Sequence, residues 1–88
     1  MKAYIVSYDL CGNGKDYSSL ISNIKKFAKW AHITESTWFI KTNYSATDVR
    51  NYLNSCMDKD DRVFVSELGK TAAWKNTICD GNYLFNNY

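Results

Sequence analysis

The spacing of apolar residues in this chain switches repeatedly between two periods, and that alternation limits its fold more than any single motif does. Residues 2–10 (Lys-Ala-Tyr-Ile-Val-Ser-Tyr-Asp-Leu) are β-branched and aromatic with one face mostly apolar, which is the pattern of a strand. After the turn-rich loop Cys11-Gly-Asn-Gly-Lys-Asp16, the positions Tyr17, Leu20, Ile21, Ile24, Phe27, Ala28 and Ala31 recur at threes and fours. They predict a helix running to about Ala31. Residues 32–42 read as extended. Their length predicts a bend near Glu35-Ser36, or two short strands. Ser45-Ala-Thr-Asp48 is a capping-box variant, and Ala46, Val49, Tyr52, Leu53, Cys56 and Met57 form a second helical stripe. Residues 62–68 are the next strand, with Val63-Phe-Val65 at its centre. Residues 71–76 lean toward a short further strand, and residues 79–88 are ambiguous.

Strand, helix, split strand, helix, strand, joined by right-handed crossovers, give an α+β, ferredoxin-like split βαβ sandwich. Both helices then lie on one face of an antiparallel sheet, and the other face is expected to be bare. The chain has 88 residues, so it holds one domain and buries only about 60–65% of its unfolded surface. Its 7 Tyr, 4 Phe and 3 Trp exceed what so small a core hides easily, which predicts a face-to-face homodimer. Trp38, Phe39 and Trp74 are the expected interface residues, and the tail, residues 69–88, is expected to pack on or exchange with the partner. No apolar run approaches a membrane span and residues 1–10 lack a signal-peptide pattern, so the expected location is the cytoplasm, with no membrane partner. Cys11, Cys56 and Cys79 fit no structural zinc spacing.

Val6-Ser7-Tyr8-Asp9-Leu10, the segment Phe27-Ala-Lys-Trp30, the aromatic strand Ile33-Thr-Glu-Ser-Thr-Trp-Phe39 and Arg62-Val-Phe-Val65 occur in an order that resembles the small CRISPR adaptation subunit, the Cas-two type. Glu35-Ser-Thr-Trp38 and Ala72-Ala-Trp-Lys75 are similar to short Cas-two-like proteins of the SinR family, and VapD-type ribonucleases share that fold more distantly. The similarity covers roughly residues 1–68. It implies a ferredoxin-like homodimer whose tails cross. The loop after the first strand departs from the arginine-rich form common in that family, and Phe39-Ile-Lys41 stands where Phe-Glu-Gly is common.

Asp9 is the first candidate for chemistry. A carboxylate at the end of an inner strand can hold a hard cation, and the resemblance implies that paired Asp9 side chains share a Mg²⁺ across a dimer axis. The plain alternative is an Asp that caps a turn. Lys15, Lys25, Lys29, Lys41 and Arg50, with Lys26 nearby, are the candidate phosphate contacts, and Tyr17 or Tyr44 is available for stacking. Lys15 or Lys41 is expected to steady a phosphate at Asp9. Asp48, Asp58, Asp60 and Asp61 are expected to dilute any positive field. Glu35 and Glu67 join Asp9 only if their strands bring them alongside, while His32 has no visible acid–base partner.

The expected function is that of a Cas-two-like nucleic-acid-binding protein acting on RNA or DNA, with Mg²⁺-dependent endonuclease or endoribonuclease activity centred on Asp9. One alternative is a non-catalytic module, encoded by a phage or mobile element, that sequesters a nucleotide ligand or inhibits a host defence protein. A VapD-like toxin ribonuclease is the other.

Overall fold

A computed structural model describes residues 1–11 and 17–88. Four strands, β1 (Lys2–Asp9), β2 (Lys29–Thr34), β3 (Thr37–Thr42) and β4 (Arg62–Glu67), form one sheet in the order β2-β3-β1-β4 with every neighbouring pair antiparallel. Helices α1 (Ser18–Ile24) and α2 (Ala46–Asn54) are the crossovers, and a third helix, α3 (Gly81–Asn87), follows the sheet. The result is a small α+β fold whose strand order is compatible with the ferredoxin-like split βαβ arrangement.

Alternation along β1 sets the core. Tyr4, Val6 and Tyr8 point to the same side as Trp38 and Ile40 of β3, where Leu20 and Ile24 of α1 and Val49 and Leu53 of α2 cover them. The indole N–H of Trp38 donates to the Tyr8 hydroxyl at 3.0 Å, so the largest buried ring keeps its polar atom satisfied. Ser45 caps α2 as its position predicts, its Oγ accepting from the Asp48 N–H at 3.1 Å. The long extended segment resolves into β2 and β3 around a turn at Glu35-Ser36, with a register shift between His32 and Thr34.

The first helix is shorter than its apolar spacing predicts. It ends at Ile24, and Lys29, Trp30 and Ala31 belong to β2 instead. In a strand these residues use both faces: Trp30 packs toward the core beside Trp38, while Ala31 is buried on the opposite side. Phe27 still packs against the core, from the turn rather than from a helix.

The second face of the sheet, expected bare, is partly covered by the chain's own tail. Leu84 of α3 packs on Ala31 and Phe39, with Ala3, Ile33, Leu68, Cys79 and Tyr88 around them. Backbone bonds from Ile78 to the Ile33 carbonyl (3.0 Å) and from Cys79 to the His32 carbonyl (2.8 Å) occupy the open edge of β2. Residues 71–76 are irregular rather than a strand, because the segment crosses the sheet face instead of pairing with an edge. Trp74 belongs to this crossing and stays 36% exposed. It lines a small apolar cavity of about 140 Å³ with Ile5, Phe39 and Leu84, and a Cβ on Gly81 would stand 3.2 Å from its Nε1.

Candidate functional site

The register divides the candidate residues between the two ends of the sheet. Asp9 pairs with Arg62 where β1 ends and β4 begins, and Tyr8 bonds the Ser36 carbonyl of the β2–β3 turn beside it. The α2–β4 loop, residues 55–61, reaches the same end. Asp9, Glu35, Asp58, Asp60 and Asp61 therefore gather here, against Lys59 and Arg62. Asp61 organises the corner: its Oδ1 accepts from the Cys11 N–H at 2.7 Å and the Tyr17 hydroxyl at 3.0 Å, and its Oδ2 accepts from the Asp58 N–H at 2.7 Å. That contact ties the hydroxyl of Tyr17, one of the two rings expected to stack, to the acidic end.

The opposite end is basic. Lys2 begins β1, Lys29 begins β2 opposite Lys41 of β3, and Lys25 and Lys26 lie in the turn between α1 and β2. Five lysines meet there, against the carboxylates of Asp48 and Glu67. Among the described residues none of the five forms an ion pair. Lys25 Nζ lies 5.1 Å from the centre of the Trp30 ring, and Lys29 Nζ donates to Asn87 Oδ1 at 2.6 Å. The acids expected to dilute this field are, except for Asp48, at the other end of the molecule. Arg50 lies partway along α2, where its guanidinium bonds Asn51. Lys15 and its Gly-Asn-Gly neighbours fall outside the described residues.

Of the two lysines expected to steady a phosphate at Asp9, Lys15 lies outside the described residues and Lys41 lies at the other end of the sheet. Lys41 stands opposite Ala3, six residues along β1 from Asp9, or roughly 20 Å at about 3.3 Å per residue. Glu67 stands opposite Tyr4, also far from Asp9. Asp9 itself is 70% exposed and 3.7 Å from the Arg62 guanidinium. Mg²⁺ takes octahedral oxygen ligands, usually one or two carboxylates with waters and substrate phosphate. Each chain offers the exposed Asp9 carboxylate beside the Arg62 guanidinium, so a shared ion would need the Asp9 of a second copy; within one chain no group of three His, Cys, Asp or Glu side chains forms among the described residues.

His32 is structural. Its ring stacks on Trp38 at 4.0 Å and its Nε2 lies 3.0 Å from the Glu35 carbonyl oxygen. Trp38 and Phe39, expected at an interface, are each 2% exposed within a single chain, Phe39 beneath α3 and Trp38 beneath α1 and α2.

At the basic end a groove of about 560 Å³ opens beside α2, lined by Lys26, Phe27, Tyr44, Asp48, Val49 and Tyr52. Tyr44 was legible as a stacking candidate, but Phe27 and Tyr52 were not. Their helical spacing reads as core, and only the tertiary arrangement shows that their rings reach a rim.

No family model matches the chain, and no solved structure matches it. Among the described residues no helix is long and apolar enough to cross a membrane.

Proposed function

We propose that this chain is a nucleic-acid-binding module that grips a phosphate backbone with the lysines of one sheet end. The observation that carries the reading is the gathering of Lys2, Lys25, Lys26, Lys29 and Lys41, without ion-pair partners among the described residues, away from most of the acids. Lysines held this way release counterions from a polyanion on binding. Lys41 and Asp9 stand too far apart for one chain to bring both to a single phosphate, so the lysine end is read as a binding surface in its own right.

Homodimerisation belongs to the same reading. The half of the second sheet face near β4 is not covered by the tail, and Phe64, opposite Ser7, is 64% exposed there. Asp9 and Arg62 flank it on that face with opposite charges, as a two-fold self-complementary contact requires.

The test is fluorescence anisotropy on labelled RNA and DNA across a salt series, with Mg²⁺ cleavage assays on the same oligonucleotides. Wild type is expected to bind with a salt slope that falls by about 0.7–0.9 for each contacting lysine neutralised. Lys26→Gln, Lys29→Gln and Lys41→Gln supply that series. Cleavage that needs both Mg²⁺ and Asp9, lost in Asp9→Asn, overturns the binding-only reading.

A further inference from the structure

We infer that the groove beside α2 seats an unpaired nucleobase, so that the chain selects single-stranded over duplex nucleic acid; this rests on the nucleic-acid reading above. Three aromatic rings, Phe27, Tyr44 and Tyr52, meet at the basic end in one open cleft. Its volume, about 560 Å³, falls among those of small-ligand sites, about 300–1,000 Å³.

Two of the rings are held before any ligand arrives. Tyr52 meets Phe27 edge to face at 5.7 Å and 82°, and its hydroxyl donates to Asn23 Oδ1 at 3.1 Å. The backbone at Tyr44 is fixed from below: its carbonyl accepts from the buried Tyr4 hydroxyl at 2.8 Å, and its N–H donates to Thr42 Oγ1 at 3.3 Å. Tyr44 itself remains 62% exposed. With its backbone already held, an exposed Tyr44 has only its side-chain torsions to order when a base stacks on it.

Charge orients the ligand. Lys26 lines one part of the cleft and attracts a phosphate, while Asp48 lines another and repels one. The sugar–phosphate chain therefore passes on the Lys26 side, and a base edge carrying an amino group faces the Asp48 carboxylate, which accepts from it. A duplex cannot use this arrangement, because its bases are already stacked and paired and only its phosphates reach the lysines.

Anisotropy with a fluorescein-labelled 12-nucleotide single strand and the matching duplex tests the inference. Wild type is expected to bind the single strand more tightly. Tyr44→Ala is expected to lose about 5–150-fold on the single strand, the range for removing one stacked base, and less than about twofold on the duplex. Tyr44→Phe, which keeps the ring, is expected to restore single-strand binding. Equal affinity for strand and duplex, or an unchanged Tyr44→Ala, overturns the base seat. If Lys26→Gln still weakens both ligands in that case, the lysine grip stands without it. Failure of wild type to bind either ligand removes both readings. Circular dichroism of Tyr44→Ala confirms that the fold survives, as expected where the residue's hydrogen bonds among the described residues are made by its backbone.

Discussion

Lys29 and Lys41 stand directly opposite one another on neighbouring strands, two like charges sharing one cross-strand position. Such a pair costs stability, and among the described residues the polar contact that relieves it is from Lys29 to Asn87 of α3. Lys41→Thr removes the repulsion and adds a β-branched residue. It is expected to raise unfolding stability by about 0.2–1 kcal/mol in urea titrations while weakening oligonucleotide binding. A variant that gains stability and keeps full affinity would show that the pair has no part in binding.

Asp9 and Arg62 are an exposed ion pair with a long separation, 3.7 Å. Pairs of this kind contribute about 0–1 kcal/mol. A double-mutant cycle on Asp9→Asn and Arg62→Gln is expected to give a coupling within that range. Oligonucleotide affinity of Asp9→Asn is expected to match wild type, since Asp9 lies at the far end from the lysines.

The Tyr8 hydroxyl serves the Trp38 indole inside the core. Tyr8→Phe leaves a buried donor without its acceptor, at an expected cost of about 1–3 kcal/mol. Near-ultraviolet circular dichroism, which reports the packing of Trp38, is the accompanying readout.

Leu84 is the one residue of α3 that is fully buried, 3% exposed against Ala31 and Phe39. Leu84→Ala is expected to cost about 2–5 kcal/mol. Hydrogen exchange should then rise first along α3 and at Ile78 and Cys79, whose amides bond β2. If exchange there is unchanged while the whole domain weakens uniformly, the tail is not a separate layer.

Much of the fold is legible in the chain because local and tertiary preferences agree. Tyr4-Val6-Tyr8 alternation, the Ser45 cap and the turn at Glu35-Ser36 each have a local cause, and each appears where that cause puts it. The boundary after α1 was not legible, because Phe27, Ala28 and Ala31 satisfy helical spacing while Lys29–Thr34 equally satisfies a strand. Pairing with β3 decides between them, and that is a long-range effect. Helix α3 has a local signal that is easily overlooked: Asp80 accepts from the Asn82 N–H at 2.9 Å as an N-cap. Its stripe is weak, with Phe85 exposed and Leu84 alone buried.

The site was legible only as a set of residue types. Lys25, Lys29 and Lys41 were visible as candidates, and so was Asp9. Their division between opposite ends depends on register, in which Ala3 meets Lys41 and Arg62 meets Asp9. Net charge, +2, conceals that division entirely.

Such a chain is an electric dipole lying along its strands. A polyanion approaching from any side exerts a torque on it, turning the lysine end forward before the surfaces touch, so encounters are oriented before they are specific. At physiological ionic strength the screening length is about 8 Å, shorter than the span between the ends. Alignment at a distance therefore belongs to dilute buffer, where the association rate with an oligonucleotide should be highest and should fall when salt is added.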